Sequence, residues 1–150
     1  MIQRGVRLPD PAASEAFGAR LAAAARIGDV ITLSGPLGAG KTSIARGLLG
    51  ALGLAGEAPS PSFAIVQPYD PPEVRFAVLH VDLYRLDDPS ELDELGLDDA
   101  RWDALLVVEW PEHGGDWQDA LALTLAIEPD GARVLTARVP PSWEARWRSI

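Results

Sequence analysis

Apolar and polar positions along the chain follow helical and strand periods in turn, and the N-terminal third shows both. The segment 10–26 is predicted to be a helix, because apolar residues recur four apart, Asp10 can cap its start and Pro11 suits its first turn. A Gly-Asp pair interrupts this pattern, and the apolar run 30–33 that follows predicts a buried strand. A glycine-rich stretch then leads into the next predicted helix at 41–52.

The remaining apolar segments predict more strands, a hairpin and two short helices. Continuous apolar runs and a Pro-Asp-Gly turn indicate the strands, whereas helical spacing returns in an acidic segment and in the tail. The predicted strands lie at 76–81 and 105–108, the hairpin strands at 121–127 and 133–139, and the helices at 90–97 and around Trp143 and Trp147.

The glycine-rich stretch, residues 35–42, reads GPLGAGKT and matches the pattern G-x-x-x-x-G-K-[ST] at each defined position. Glycines let backbone N–H groups turn around phosphates, and the following helix adds the positive end of its dipole. Lys41, the chain's single lysine, is expected to reach the β- and γ-phosphates of ATP, and Thr42 to place its hydroxyl on Mg²⁺. The nucleotide-binding residues predicted from this loop are Gly35, Leu37, Gly38, Ala39, Gly40, Lys41, Thr42 and Ser43.

Strand, phosphate-binding loop, helix and further strands predict an α/β fold for a single domain over residues 1–150. We expect a P-loop NTPase fold with a mainly parallel central sheet, flanking helices and a C-terminal antiparallel hairpin. Ligands of parallel sheets bind beyond the carboxyl ends of the strands. The loop, Asp82 and Glu109 each follow a predicted strand directly, so we expect them to meet at that edge.

Composition sets the compartment and limits the partners. No apolar run approaches the roughly 20 residues of a membrane span, no secretory signal is evident, and the chain contains no cysteine, so we expect a cytoplasmic protein. The net charge of -9 is the reverse of a nucleic-acid-binding surface, which neutralises phosphates with clustered Lys and Arg. Any connection with nucleic acid should therefore run through a partner.

Two strand-terminal carboxylates are the candidates for metal binding and water positioning, because P-loop enzymes need an acidic group there. Asp82 and Glu109 fit this role, although carboxylates are also common where a strand simply leaves the core. His80 shares a strand face with Asp82, but a strand histidine alone is more often a core group than a catalyst. His113 is expected to be solvated, and Trp110 could stack on a base or belong to the core.

A Pro/Ser-rich loop is predicted at 56–62, leading into an apolar run at 63–66. The hydroxyls of Ser60 and Ser62 could approach the γ-phosphate or Mg²⁺. Composition alone favours a plain loop.

Five segments together resemble the bacterial TsaE (formerly YjeE) family. In chain order they are GPLGAGKTS, SPSF followed by Tyr69, HVDLYRL, ELGL and VVEWPE. The resemblance runs from the first helix to the C-terminal hairpin, and this combination is far more specific than a phosphate loop alone. The family usually carries Thr where this chain has Ser62, so the hydroxyl is kept and the methyl group is lost.

The resemblance implies Mg²⁺-dependent ATP binding, and weak hydrolysis by the isolated protein, in tRNA threonylcarbamoyladenosine biosynthesis. It also implies association with TsaB and TsaD. ATP turnover would reset the complex of these two proteins, and this chain would contact tRNA only indirectly. By motif, Lys41 and Thr42 keep the roles given above. Asp82 becomes a metal or water-positioning group, Glu109 a metal-associated catalytic carboxylate and Trp110 an aromatic neighbour of the nucleotide.

Other classes of P-loop protein fit less well. The chain contains no Asn and thus no guanine-reading N-K-x-D motif, and it has no L-S-G-G-Q signature of transporter ATPases. A small P-loop kinase remains an alternative, although no compact lid with clustered arginines follows Thr42. A nucleotide-sensing adaptor that does not require hydrolysis also remains open.

Overall fold

A seven-stranded sheet organises the part of the chain that the computed structural model describes, residues 1–56, 66–86, 88 and 90–150. The strands are β1 (Ile2–Leu8), β2 (Val30–Ser34), β3 (Val66–Tyr69), β4 (Val78–Asp82), β5 (Leu105–Glu109), β6 (Leu121–Ile127) and β7 (Arg133–Arg138). The helices are α1 (Pro11–Ala24), α2 (Lys41–Ala51), α3 (Glu91–Glu94), α4 (Leu97–Ala100) and α5 (Pro141–Trp147), with a 3₁₀ turn at Pro111–His113.

The strand order is β1-β7-β6-β2-β5-β4-β3. The four central strands, β6, β2, β5 and β4, pair in parallel, whereas the pairings β6–β7, β7–β1 and β4–β3 are antiparallel. The mixed α/β class and the C-terminal hairpin are therefore confirmed. The sheet is less parallel than expected, because β1 and β3 add antiparallel pairings beyond the hairpin.

Local sequence signals account for the start of α1 and for the break between α3 and α4. The Asp10 side chain accepts a 2.8 Å hydrogen bond from the amide of Ala13, which confirms the predicted cap of α1. The single helix expected at 90–97 is wrong: α3 ends before Gly96, whose φ of 65° is left-handed and starts a separate turn, α4. Such a backbone conformation cannot continue a right-handed helix.

Strand β1 was not predicted from the sequence. Its first four residues are exposed, and Gln3, Arg4 and Arg7 give it no run of alternating apolar positions. Gly5 has a φ of 76° where the pairing with β7 shifts register. Charge and a bulge are typical of an edge strand protected from pairing with other chains, and they conceal its hydrophobic period.

Two hydrophobic clusters cover the two faces of the sheet. Helices α1, α2 and α5 pack on one face, with Phe17, Leu48 and Trp143 among the buried side chains. The segment with α4 packs on the other, around Leu83 and Leu97. None of the helices in the described part of the chain has the length and apolar character that a membrane span requires.

Helices α1 and α2 approach each other at backbone distance. A Cβ atom built on Gly18 would lie 2.0 Å from the carbonyl oxygen of Ile44, and one on Gly47 would lie 1.9 Å from that of Glu15. Only glycine allows such contact. Because Gly18 abuts the first turns of α2, α1 fixes the position of the loop that precedes α2.

Candidate functional site

A glycine-rich loop joins the carboxyl end of β2 to the start of α2. Gly35 has a φ of 142°, and a Cβ atom there would lie 2.6 Å from the carbonyl oxygen of Leu125. Gly40 has a φ of 98° and precedes the first turn of α2, which receives no hydrogen bond from a capping side chain. The N–H groups of that turn are therefore turned toward the loop without a side-chain partner, which is the arrangement that binds anions.

Lys41 lies across this loop with its amino group turned inward. Its Nζ donates to the carbonyl oxygens of Gly35 at 2.5 Å and of Pro36 at 3.1 Å. The same atom lies 3.9 Å from the ring centroid of Trp110, a distance typical of a cation–π contact. The single lysine of the chain is thus 95% buried at the start of α2, held by dipoles and an aromatic ring.

Burial and nearby carboxylates act on Lys41 in opposite directions. Burial lowers the pKa of Lys41, because the charged form loses water, while the negative charges of Glu109, Glu112 and Asp82 raise it in part. Such a cation has little hydration, and its direct hydrogen-bond acceptors are neutral carbonyl groups, so it is suited to bind a strong anionic ligand.

Thr42 and His80 hold the two oxygens of the Glu109 carboxylate. The hydroxyl of Thr42 donates to Oε1 at 3.2 Å, and Nε2 of His80 lies 2.6 Å from Oε2. Both His80 and Glu109 are almost completely buried. A carboxylate group accepts hydrogen bonds, so the tautomer of His80 that fits this contact carries its proton on Nε2. His80 is therefore part of the site, which its strand position alone did not indicate.

Asp82 ends β4 beside Glu109, its direct neighbour in the parallel ladder with β5. One of its carboxylate oxygens accepts a 2.9 Å bond from the amide of Tyr84. Burial raises the pKa of Asp82, and the charge of Glu109 adds to this. The Tyr84 amide, His80 and Lys41 lower it.

Replacing Asp82 by asparagine is expected to stabilise the ligand-free protein at pH 7. The folded state binds the Asp82 proton more tightly than the unfolded state, because the pKa of Asp82 is raised. Its contribution to stability therefore falls as pH rises through the window between the unfolded and folded pKa values and is fully unfavourable above it. We expect Asp82→Asn to raise the thermal midpoint by about 1–3 °C at pH 7 in EDTA.

The matched control is Asp88→Asn. The amide and hydroxyl of Ser90 lower the pKa of Asp88, so its carboxylate favours folding, and its loss should give no rise in midpoint. A gain for Asp82→Asn that does not shrink as pH falls toward the ordinary Asp range would contradict this explanation.

Three rings pack beside the site. Trp110, in a left-handed conformation with a φ of 59°, lies 4.9 Å from Tyr84 and 5.3 Å from His113 between ring centroids. His113, expected to be solvated, is half-buried: its Nδ1 lies 3.0 Å from the carbonyl oxygen of Leu83 and 3.2 Å from that of Tyr84. His113 thus links the segment after β5 to the one after β4.

The structure brings most of the predicted site residues together. Lys41, Thr42, Asp82, Glu109 and Trp110 meet at the carboxyl ends of β2, β4 and β5. In the loop, Ala39 is buried, Ser43 is half-buried and Leu37 is exposed. Ser60 and Ser62 lie outside the described residues. Among the described residues there is no group of three or more His, Cys, Asp or Glu side chains that could hold a metal ion.

Two further side chains at the loop were not predicted. Glu112 accepts a 3.2 Å bond from the hydroxyl of Ser34, the residue before the loop. Arg133, at the start of β7, donates to the carbonyl oxygen of Gly38 at 2.8 Å. Both contacts join segments 78 or 95 residues apart, and no local pattern could have indicated them.

Known proteins resemble this chain in structure over almost its whole length. The crystal structure of YdiB from Bacillus subtilis superimposes with a TM-score of 0.79, covering 99% of this chain and 94% of YdiB at 28% identity. A fold of this size and connectivity is therefore shared by the two proteins.

Sequence comparison agrees. A protein from Mycobacterium tuberculosis, named tRNA threonylcarbamoyladenosine biosynthesis protein TsaE, is 45% identical over 103 residues, or 64% of this chain and 61% of the relative. The protein of the same name from Synechocystis is 40% identical over 111 residues, which are 70% of this chain and 68% of that relative. The match thus spans about three-fifths of the mycobacterial relative's length. The family model described as threonylcarbamoyl adenosine biosynthesis protein TsaE matches residues 8–135. The chain therefore belongs to the TsaE family.

Proposed function

We propose that this chain is a P-loop ATPase that binds and hydrolyses ATP with Mg²⁺. The observation that carries the proposal is the contact between Thr42, at the start of α2, and the buried carboxylate of Glu109 at the end of β5. This contact joins the residue expected to bind metal in the phosphate loop to the acidic residue that such enzymes place at a strand end.

The residues present suit the phosphates and the cation. The uncapped first turn of α2 and the glycine conformations offer N–H groups to an anion. The hydroxyl of Thr42 and the carboxylates of Asp82 and Glu109 are hard oxygen donors of the type that Mg²⁺ prefers. Bound Mg²⁺ would neutralise charge that develops on the phosphates.

Lys41 would bind the β- and γ-phosphates by exchanging its present partners. Its amino group now donates to two backbone carbonyls, and phosphate oxygens are stronger acceptors for an ammonium group. Trp110 lies against the same amino group and would then border the nucleotide.

Asp82 and Glu109 would share the metal-binding and water-positioning roles. Glu109 is held on both oxygens by Thr42 and His80, so it has a fixed orientation. Asp82 is half-buried and has a raised pKa, which suits a group that accepts a hydrogen bond from water in a closed site.

We further propose that the ATPase serves tRNA threonylcarbamoyladenosine modification, the process that the relatives' names give. In this proposal it acts in the cytoplasm and resets the complex of TsaB and TsaD. The net charge of -9 favours docking on protein partners over direct tRNA binding.

The test is phosphate release from ATP by the purified chain, with and without TsaB and TsaD from the same organism. We expect slow release alone and at least about tenfold stimulation by the partners, while binding of tRNA by the isolated chain stays weak. Phosphate on a small acceptor would favour a kinase. Nucleotide-dependent docking without phosphate release would favour an adaptor, and tight tRNA binding by the isolated chain would contradict the indirect role.

A further inference from the structure

The Glu109 carboxylate depends on two donors within the described part of the chain. The Thr42 hydroxyl binds one oxygen at 3.2 Å, and His80 binds the other at 2.6 Å. Lys41 is nearby, but its amino group donates to Gly35 and Pro36. Because the side chain of Glu109 is only 3% exposed, water cannot readily replace a lost donor.

Within the described part of the chain, the hydrogen bonding of the His80 ring goes to this carboxylate. Its ring is 1% exposed, and its other nitrogen, Nδ1, has no hydrogen-bond partner among the described residues. His80 lies on β4, two residues before Asp82, in the register that places Asp82 beside Glu109. The strand ladder therefore fixes the ring relative to the carboxylate.

The proposed function gives the hydroxyl of Thr42 a second task. Its oxygen can bind a metal through a lone pair and still donate its proton to Glu109, but the direction of that O–H bond then has to suit the metal as well as the carboxylate. His80 is the other direct donor to Glu109 in the described residues, and its donor atom, Nε2, is not one of the proposed metal ligands.

We propose that His80 is a positioning residue, which keeps the Glu109 carboxylate oriented toward the phosphate loop while the Thr42 hydroxyl takes part in binding a divalent cation. This inference rests on the proposed function and adds a residue to its machinery. Groups that orient a metal-associated side chain in this way commonly change metal affinity or activity by about 10–100-fold when removed.

The test compares His80→Gln with His80→Asn, two neutral amides of similar polarity. The amide nitrogen of glutamine can occupy the place of Nε2, whereas that of asparagine corresponds to Nδ1 and does not reach Glu109. With partners present, we expect His80→Gln to keep kcat within about threefold and His80→Asn to lower kcat about 10–100-fold, with KM for ATP nearly unchanged.

A second measurement does not need turnover. We expect His80→Asn to weaken Mn²⁺ binding to the ADP-bound protein about tenfold, while the affinity for ADP in EDTA stays the same. Equal kcat and equal Mn²⁺ affinity in the two variants would overturn the positioning role and leave the ATPase proposal intact. If the wild-type chain with its partners did not hydrolyse ATP but the two variants still differed in Mn²⁺ affinity, the ATPase proposal would be overturned and the positioning role would stand.

If a His80 variant does not fold, the positioning role can still be tested on the wild-type protein. In ¹⁵N-histidine spectra we expect Nε2 of His80 to keep its proton and its hydrogen-bonded shift when Mg²⁺ and ADP are added. Loss of that proton or of the hydrogen-bonded shift would show that His80 releases Glu109, and would overturn the proposal.

Discussion

Lys41→Ala is expected to lower ATP turnover at least about 100-fold, the scale on which a single donor to developing charge acts. Lys41 is the chain's single lysine, and it begins α2 directly after the glycine loop. The amino group is buried between two carbonyl oxygens and the Trp110 ring, so its position within the loop is fixed. The measurement is phosphate release at saturating ATP and Mg²⁺, with partners present.

Lys41→Arg separates charge from shape. Arginine keeps the positive charge, but its planar fork needs more room than an ammonium group between the carbonyl oxygens of Gly35 and Pro36. We expect this variant to be nearly as impaired as Lys41→Ala, whereas Arg4→Ala, which removes an exposed cation on β1, should turn over ATP like the wild type. Turnover by Lys41→Ala at the wild-type rate would contradict the assigned role.

The part of the fold that the sequence predicts is the part whose signals lie between near neighbours. The Asp10 cap, the glycine loop before α2 and the turn between β6 and β7 each involve residues within a few positions of one another. Strand-terminal acids could also be placed, because parallel strands bring their carboxyl ends to one edge. The meeting of Asp82 and Glu109 was therefore predictable without knowing which strands pair.

Contacts that depend on register or on packing between helices were not predictable. His80 reaches Glu109 because the β4–β5 ladder places Asp82 opposite Glu109, and this register cannot be derived from the sequence. Arg133 reaches Gly38 because β6 pairs with β2, which brings the hairpin to the phosphate loop. In both cases the role of the side chain becomes evident only when a strand distant in sequence is placed beside it.

The glycines of the two packed helices show the same limit most clearly, and they give the largest expected effect on stability. By intrinsic propensity, alanine is better than glycine inside any helix by about 1 kcal/mol, so sequence alone would favour both Gly47→Ala and Gly50→Ala. In the structure a Cβ atom on Gly47 would lie 1.9 Å from the carbonyl oxygen of Glu15, whereas one on Gly50 meets nothing within 4 Å. The two substitutions should therefore act in opposite directions.

We expect Gly47→Ala to lower the free energy of unfolding by about 3 kcal/mol, because α1 must move away from α2 and the core between them loosens. Gly50→Ala, three residues along the same helix, should raise it by up to about 1 kcal/mol. Thermal midpoints should then differ in sign, by about 6–12 °C downward and 2–4 °C upward for a domain of this size. Similar midpoints for the two variants would contradict the close approach of α1 and α2.

The same pair of variants tests whether helix packing positions the phosphate loop. Gly18 on α1 abuts Ile44, three residues after Lys41, and a Cβ atom on Gly40 would lie 3.5 Å from the Ser14 hydroxyl. A shift of α1 is thus transmitted directly to the start of α2. At a temperature where both variants are folded, Gly47→Ala should bind ADP more weakly than Gly50→Ala. Equal affinity would mean that the loop keeps its shape without support from α1.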